Sequence, residues 1–372
     1  MSASAILDLM DLLAGRIAVV YAENPCTTVS FDRVDIIVPI LHGDLVRCEG
    51  QVVNAGSSSI TIHVTAKRHD VVTRTFKTAA YSFITYVAIV QATLRPYKNI
   101  PTLTVVSEEE VRLQSEAKRR RALTMEWLAV QKAAASEGTA DKAQGRMDGG
   151  GGGARRDAAR QRARAADTPG PRLQPQTEFQ HRYAGRVLKP ADVQDGGRDP
   201  MKRELLSISE TEVVIRKQML PRHNNHLNII FGGDVLRWML AAATLTATRF
   251  TGNRNMIVVS MNRIDFKQPI KPLHVLELHA KVVSARYYCV EVEIEAFVDK
   301  AFERLGTVSS HNGYFTVLNL DELGFRRPVT VGLRLSDDDQ DGLRRCAKAK
   351  ARRDFDKQLE APTRSATGFW ME

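Results

Sequence analysis

The sequence predicts an α+β protein built from one unit used twice, a helix followed by antiparallel strands. Repetition is the first of three observations behind that reading. Residues 29–66 align without a gap on 259–296, at an offset of 230, and Val29, Ser30, Arg33, Asp35, Pro39, Ile40, Val52, Val53, Ala55 and Ala66 recur unchanged. Two copies of one domain are the simplest account. Second, 6–20 and 235–250 are apolar on almost every face, which predicts a helix covered by other structure on all sides. Third, each helix is followed by segments of alternating character joined by short connections, which favours antiparallel pairing.

The elements follow in order. After the first helix, strands are expected over 27–34, 44–54, 59–68 and 74–90; after the second, over 256–264, 275–285, 288–299 and 303–318. Each half closes on a segment with an acidic start and a basic end, 107–123 and 336–355. That polarity complements a helix dipole, so both are predicted terminal helices. The halves differ at their beginnings. A strand-like stretch (211–219) and the turn PRHNNHLNIIFGG (221–233) precede the second helix, whereas the first half starts almost on its helix, with Ser4 aligned on Gly233. The expected domains are 1–123, lacking the first strand and the loop; 124–203, a basic Gly/Arg-rich disordered linker; 204–335, the second domain; and 336–372, a basic C-terminal helix and tail.

Composition narrows the function. The formal charge is +10, but 142–172 carries +5, 118–121 carries +4 and 344–353 carries +6, leaving −5 for the remainder. A basic binding face and the aromatic interleaving of a stacking platform are both missing, so nucleic acid is not expected as the main partner. Cys26, Cys48, Cys289 and Cys346 are scattered, which argues against a zinc site and a disulfide framework and for a reducing compartment. No apolar run approaches the length of a membrane span. The first residues, MSASAILDLMDLLAG, carry no early Lys or Arg, so the expected location is cytoplasmic, or mitochondrial if the true N-terminus lies upstream.

Four residues stand out as chemistry. Asp11 lies in the apolar helix, where an ionised carboxylate costs several kcal/mol unless partnered; the aligned residue of the other copy is Leu240. The alternative is that Asp11 faces solvent near a frayed helix start, as is expected of Asp8. Asn225 precedes the second helix and is open to a functional or a capping role. Gly232 and Gly233 open that helix, so their N–H groups and the positive dipole end would face a bound acceptor; easing a tight turn is their other reading. His223 and His226 flank Asn225 without a third ligand at metal spacing, and read as loop groups or as a support for the site. Trp238 and Met239 suit the core or an acyl pocket, while Arg222 and Lys217, with Arg254 a weaker candidate, are basic enough to meet phosphates.

Three stretches carry a family resemblance. HNNHLNIIFGGDVLRWM (223–239), LMDLLAG (9–15) and 31–46, with its PI and GDxV, resemble the active-site loop, central-helix motif and strands of acyl-CoA thioesterases with tandem hotdog domains. The likeness spans both repeats and leaves the Gly/Arg-rich segment unexplained. It implies two hotdog domains forming an intrachain pseudo-dimer, hydrolysis of fatty acyl-CoA to free fatty acid and CoA, no cofactor and no metal, and a homo-oligomer of the trimer-of-double-hotdogs kind. By motif position Asp11 would be the acid, Asn225 the loop Asn, and Gly232 and Gly233 the helix-start glycines, with the Gly233 amide on a developing oxyanion. Phe231, His223, Arg222, Lys217 and Trp238 would line the substrate. Each half lacks what the other keeps, so one composite site is expected. The rivals are an enoyl-thioester hydratase or dehydratase, whose D-x-N-P-x-H loop this turn matches neither at the Asp nor at the Pro, and a non-catalytic acyl-CoA-binding protein.

Overall fold

A computed structural model describes residues 3–38, 40, 43–144, 204–225, 227–300, 306–336 and 339–360, with the backbone alone for 127–144 and 357–360. The first half runs α1 (Ala3–Ala22), β1 (Cys26–Phe31), β2 (Val34–Ile36), β3 (Val46–Ala55), β4 (Ser59–Asp70), β5 (Thr75–Val90), β6 (Arg95–Pro96) and α2 (Glu108–Gln144). The second runs β7 (Glu204–Leu206), β8 (Val213–Gln218), α3 (Gly232–Thr251), β9 (Met256–Met261), β10 (Ile264–Asp265), β11 (Val275–Ala285), β12 (Cys289–Asp299), β13 (Thr307–Asn319), β14 (Val331–Leu333) and α4 (Gln340–Glu360). Both halves fall in one compact unit, Met1–Ala117 with Arg186–Glu372; Lys118–Gly185 form a second, whose described part is the continuation of α2 to Gln144. The expected boundary at 123 therefore falls inside a helix, and 145–203 of the expected linker lie outside the described residues.

The repeat extends to irregularities of the backbone. In each half three ladders slip by one residue, at Val29, at 53 and between 66 and 67 in the first, at Val259, at 283 and between 296 and 297 in the second. All three recur at the offset of 230, as bulges inherited with the domain do. The two antiparallel half-sheets, β3-β4-β5-β1 and β8-β11-β12-β13-β9, join into one sheet through β1·β10 and β2·β9. Ser30 faces Asp265 across one seam and Ser260 faces Asp35 across the other. These are the same two positions exchanged between copies, which is an isologous interface made within one chain. Each half is a hotdog, a curved antiparallel sheet around a central helix, and the pair is an intrachain pseudo-dimer.

The expected first strand breaks into β1 and β2 because Asp32 and Arg33 leave the ladder to make seam ion pairs. Arg33 binds Asp35 at 2.8 Å, and Arg263, its repeat mate, binds both Asp265 and, across the seam, Asp32. On α1, Leu7, Met10, Ala14, Ala18 and Ala22 are buried at helical spacing against the sheet. The expectation that the helix is covered on all sides does not hold within the chain: Leu9, Leu12 and Val20 are exposed, because the sheet wraps one side and α3 occupies only part of the other.

The terminal helices sit on the outer face at matched places. Leu113 and Ala117 of α2 pack on Val53 and Phe83, and Ala349 of α4 packs on Val283 and Tyr314. Here the halves have diverged in charge. Thr61, His63 and Thr65 of β4 align on Glu291, Glu293 and Glu295 of β12, and α4 brings the cations that answer them. Arg345 binds Glu293 at 2.6 Å, Glu295 at 2.9 Å and Asp341 at 2.7 Å; Lys348 reaches Glu293, and Arg352 pairs with Glu291. Much of the basic tail is thus consumed inside the fold.

Truncating Arg345 leaves Glu293, 2% exposed, short of its principal cation, and should lower the unfolding free energy by roughly 2–4 kcal/mol. Among the described residues Arg344 pairs with the surface Asp341 at 3.9 Å, and its truncation should cost less than about 0.5 kcal/mol. Denaturant melts of Arg345→Ala and Arg344→Ala make the comparison; equal losses would refute the assignment.

Candidate active site

Asp11 is fully buried and is held by donors from three other elements. Thr28 Oγ1 on β1 donates to Oδ1 at 3.1 Å, the Tyr86 hydroxyl on β5 lies 2.5 Å from the same oxygen, and the Gly233 N–H at the start of α3 donates to Oδ2 at 3.1 Å. Burial pushes the carboxyl up from an ordinary 3.8 to about 6, and the bonds from Tyr86, Thr28 and Gly233 pull it back down. A carboxylate poised there can take up a proton near neutral pH. The alternative of an Asp11 facing solvent is excluded by its burial.

Gly233 donates because the first amides of a helix have no partner within it. A side chain at 232 would place its Cβ 3.3 Å from Phe266 and 3.4 Å from Asp11 Oδ2, and one at 233 would place it 2.6 Å from the Phe231 ring. The two glycines thus let the helix end approach the acid. The loop ahead of them is built by asparagines. Asn225 Oδ1 accepts from the amides of Leu227 at 2.9 Å and Ile229 at 3.4 Å, and Asn228 takes a positive φ of 58°. Leu227 and Ile229 dock on Ile89, with Val87 beside it, on β5 of the other half. The loop of the second half therefore lies on the strand that carries Tyr86.

Thr28 and Tyr86 were not expected. Their mates by strand pairing are Val258 and Val317, both buried, just as Leu240 is the mate of Asp11. The contrast between a polar and an apolar residue that singles out Asp11 also singles out Thr28, one residue ahead of the gapless repeat; Tyr86 needs the pairing of β1 with β5.

Several expected roles change. The Gly233 amide, expected on an oxyanion, holds Asp11. His223 is held within the loop: its Nδ1 accepts from the Leu220 amide at 3.1 Å, its Nε2 lies 3.3 Å from Arg222 Nε, and its carbonyl takes the Phe231 amide; these contacts cap the turn. Lys217 lies over the Trp238 ring, 4.6 Å from its centroid. Among the described residues none of Arg222, Lys217 and Trp238 bonds Asp11. Phe231 borders Gly233, and His226 lies outside the described residues.

The raised pKa of Asp11 has a signed consequence for stability. Its folded value of about 6 exceeds the ordinary 3.8, so the folded state binds the proton more tightly and loses stability as pH rises through that window. Asp11→Asn does not titrate. The gap in unfolding free energy between wild type and Asp11→Asn should move on the order of 1 kcal/mol in favour of wild type on going from about pH 7.5 to about pH 5, read by urea melts. A gap that stays constant or moves the other way removes the buried-acid assignment.

The sequence pattern of the Thioesterase superfamily matches residues 1–74 and again 227–303. An uncharacterised acyl-CoA thioester hydrolase of Bacillus subtilis (strain 168) is 30% identical over 115 residues, which span 31% of this chain and 66% of that protein. An acyl-CoA hydrolase from Staphylococcus aureus, solved with butyryl coenzyme A, coenzyme A and coenzyme A disulfide, is 26% identical over 43% of this chain and 98% of its own, with a TM-score of 0.36. A hexameric acyl-CoA thioesterase is 22% identical over 44% and 99%, with a TM-score of 0.39. With the superfamily pattern matched once in each hotdog half and the repeat continuing down to single bulges, the chain carries two thioesterase-superfamily domains in tandem.

Proposed function

We propose that the chain hydrolyses acyl-CoA thioesters to a free acid and CoA at one composite site, with Asp11 as general base. The observation that carries this reading is the bond from Gly233 of the second half to Asp11 of the first, since neither half alone assembles it. The hydrolase from Bacillus subtilis supports the same substrate class. Asp11 takes a proton from water, the water oxygen adds to the thioester carbonyl carbon, and collapse of the tetrahedral oxyanion breaks the C–S bond as the thiolate leaves and is protonated. Because the Gly233 amide is occupied by Asp11, the oxyanion falls to the Gly232 amide, the first of α3, and to Asn225 Nδ2, whose Oδ1 is committed to the loop. The open stripe of Leu9, Leu12 and Val20 supports assembly into a trimer of double hotdogs, with Arg222 and Lys217 left to meet CoA phosphates.

Asp11→Asn should slow turnover by about a hundredfold or more, and Asn225→Ala should do nearly the same alone and add little to it, since the two act as a unit. Tyr86→Phe removes the donor that chiefly opposes the burial of Asp11, so the acid limb of the kcat profile should move to higher pH. Release of CoA from acyl-CoA, followed with a thiol reagent, reads all three. An Asp11→Asn chain as fast as wild type, or two acyl-CoA analogues bound per chain, would sink the composite site.

A further inference from the structure

Asp8 is expected at the surface, yet its side chain is 13% exposed and is gripped by Arg237 of α3, whose Nε donates at 3.0 Å and whose terminal nitrogen makes a second bond to the same oxygen. The two helices have equal length and run from Ala3 and from Gly232, an offset of 229 that makes Arg237 the repeat mate of Asp8. A residue that touches its own mate lies on the pseudo-two-fold axis. The other carboxylate oxygen of Asp8 is buried without a hydrogen bond among the described residues and lies 2.9 Å from the Cβ position at Gly233. Asp8 therefore meets the start of α3 at two places, bonding Arg237 in its second turn and lying beside the glycine whose amide holds Asp11.

We propose that Asp8 and Arg237 are positioning residues for the composite site: their pair forms only between unlike halves, and it fixes the start of α3 so that the Gly233 amide stays on Asp11. Two first halves facing each other would set Asp8 against Asp8, and two second halves Arg237 against Arg237, so like charges disfavour both wrong pairings. A dimer of identical chains cannot place opposite charges on such an axis, whereas unlike halves can. Arg237 is 52% exposed, and pairs screened to that extent add little to stability. The effect belongs to geometry, where small displacements of an orienting group are expensive.

The proposal rests on the thioesterase reading, and the test separates the two. In Asp8→Asn, Asp8→Arg and Arg237→Asp, hydrogen exchange at the Gly233 amide should quicken, and kcat should fall by about tenfold or more with KM for acyl-CoA little changed. The swapped chain, Asp8→Arg with Arg237→Asp, restores an attractive pair and should recover most of both. Unchanged Gly233 exchange in the single variants overturns the proposal whatever the activity. So does an unchanged kcat in chains where Asp11→Asn is inactive, or a swap that rescues nothing while folding as wild type. Quickened exchange that the swap reverses, in a protein that hydrolyses no acyl-CoA even as wild type, supports the positioning role and rejects the thioesterase reading instead.

Discussion

A carboxylate without exposed surface has to be met by donors, and the donors of Asp11 come from places the chain reaches only by folding twice. Thr28 and Tyr86 belong to the sheet of its own half; Gly233 lies 222 residues away at the tip of the other central helix. The desolvation that raises the acid is severe enough that losing any one donor leaves a buried charge short of a partner. The closeness of α1 to α3, the glycines at the helix start and the exchange of strands at the seams all serve that one contact. Function and pairing of the halves are therefore the same structural problem.

Duplication is what allowed the solution to be asymmetric. In an isologous dimer every substitution appears twice, so a buried acid on one side is a buried acid on the other. Here Asp11, Thr28 and Tyr86 face Leu240, Val258 and Val317 in the mate positions, and the second half keeps an apolar core where the first keeps a polar one. The same freedom set Arg237 opposite Asp8. It also changed one seam: Asn262 stands where the first half has Asp32, and Asp356 of α4 supplies the carboxylate, taking bonds from Asn262 at 2.7 Å and Arg33 at 3.2 Å. A terminal helix has been drawn into the interface to replace a charge the repeat lost.

The excess of positive charge shows how composition misleads when burial is unknown. The segment 344–353 carries +6 and reads as an exposed basic tail. In the fold much of it lies against Glu291, Glu293 and Glu295 of β12, which the alternation of that strand presents on its outer face. Those three acids stand two apart, at positions where the first copy is neutral, so the match was legible as a difference between the copies, but only strand geometry shows that it faces a helix.

By itself the sequence determined the architecture: the 230-residue offset set two copies, apolar helices and alternating strands set an α+β unit, and the Asp11 to Leu240 contrast marked which copy kept the acid. Those features are local or periodic, and each is repeated in the chain. Tertiary structure decided what met the acid. Whether Gly233 faces an oxyanion or a carboxylate, whether Asp8 meets water or Arg237, and whether Tyr86 is one more strand aromatic or a donor depend on which residues of distant elements share a few cubic ångströms. Hydrogen bonds reach about 3 Å, and the contacts at issue join residues 75 to 229 positions apart; no periodicity along the chain encodes a distance of that kind.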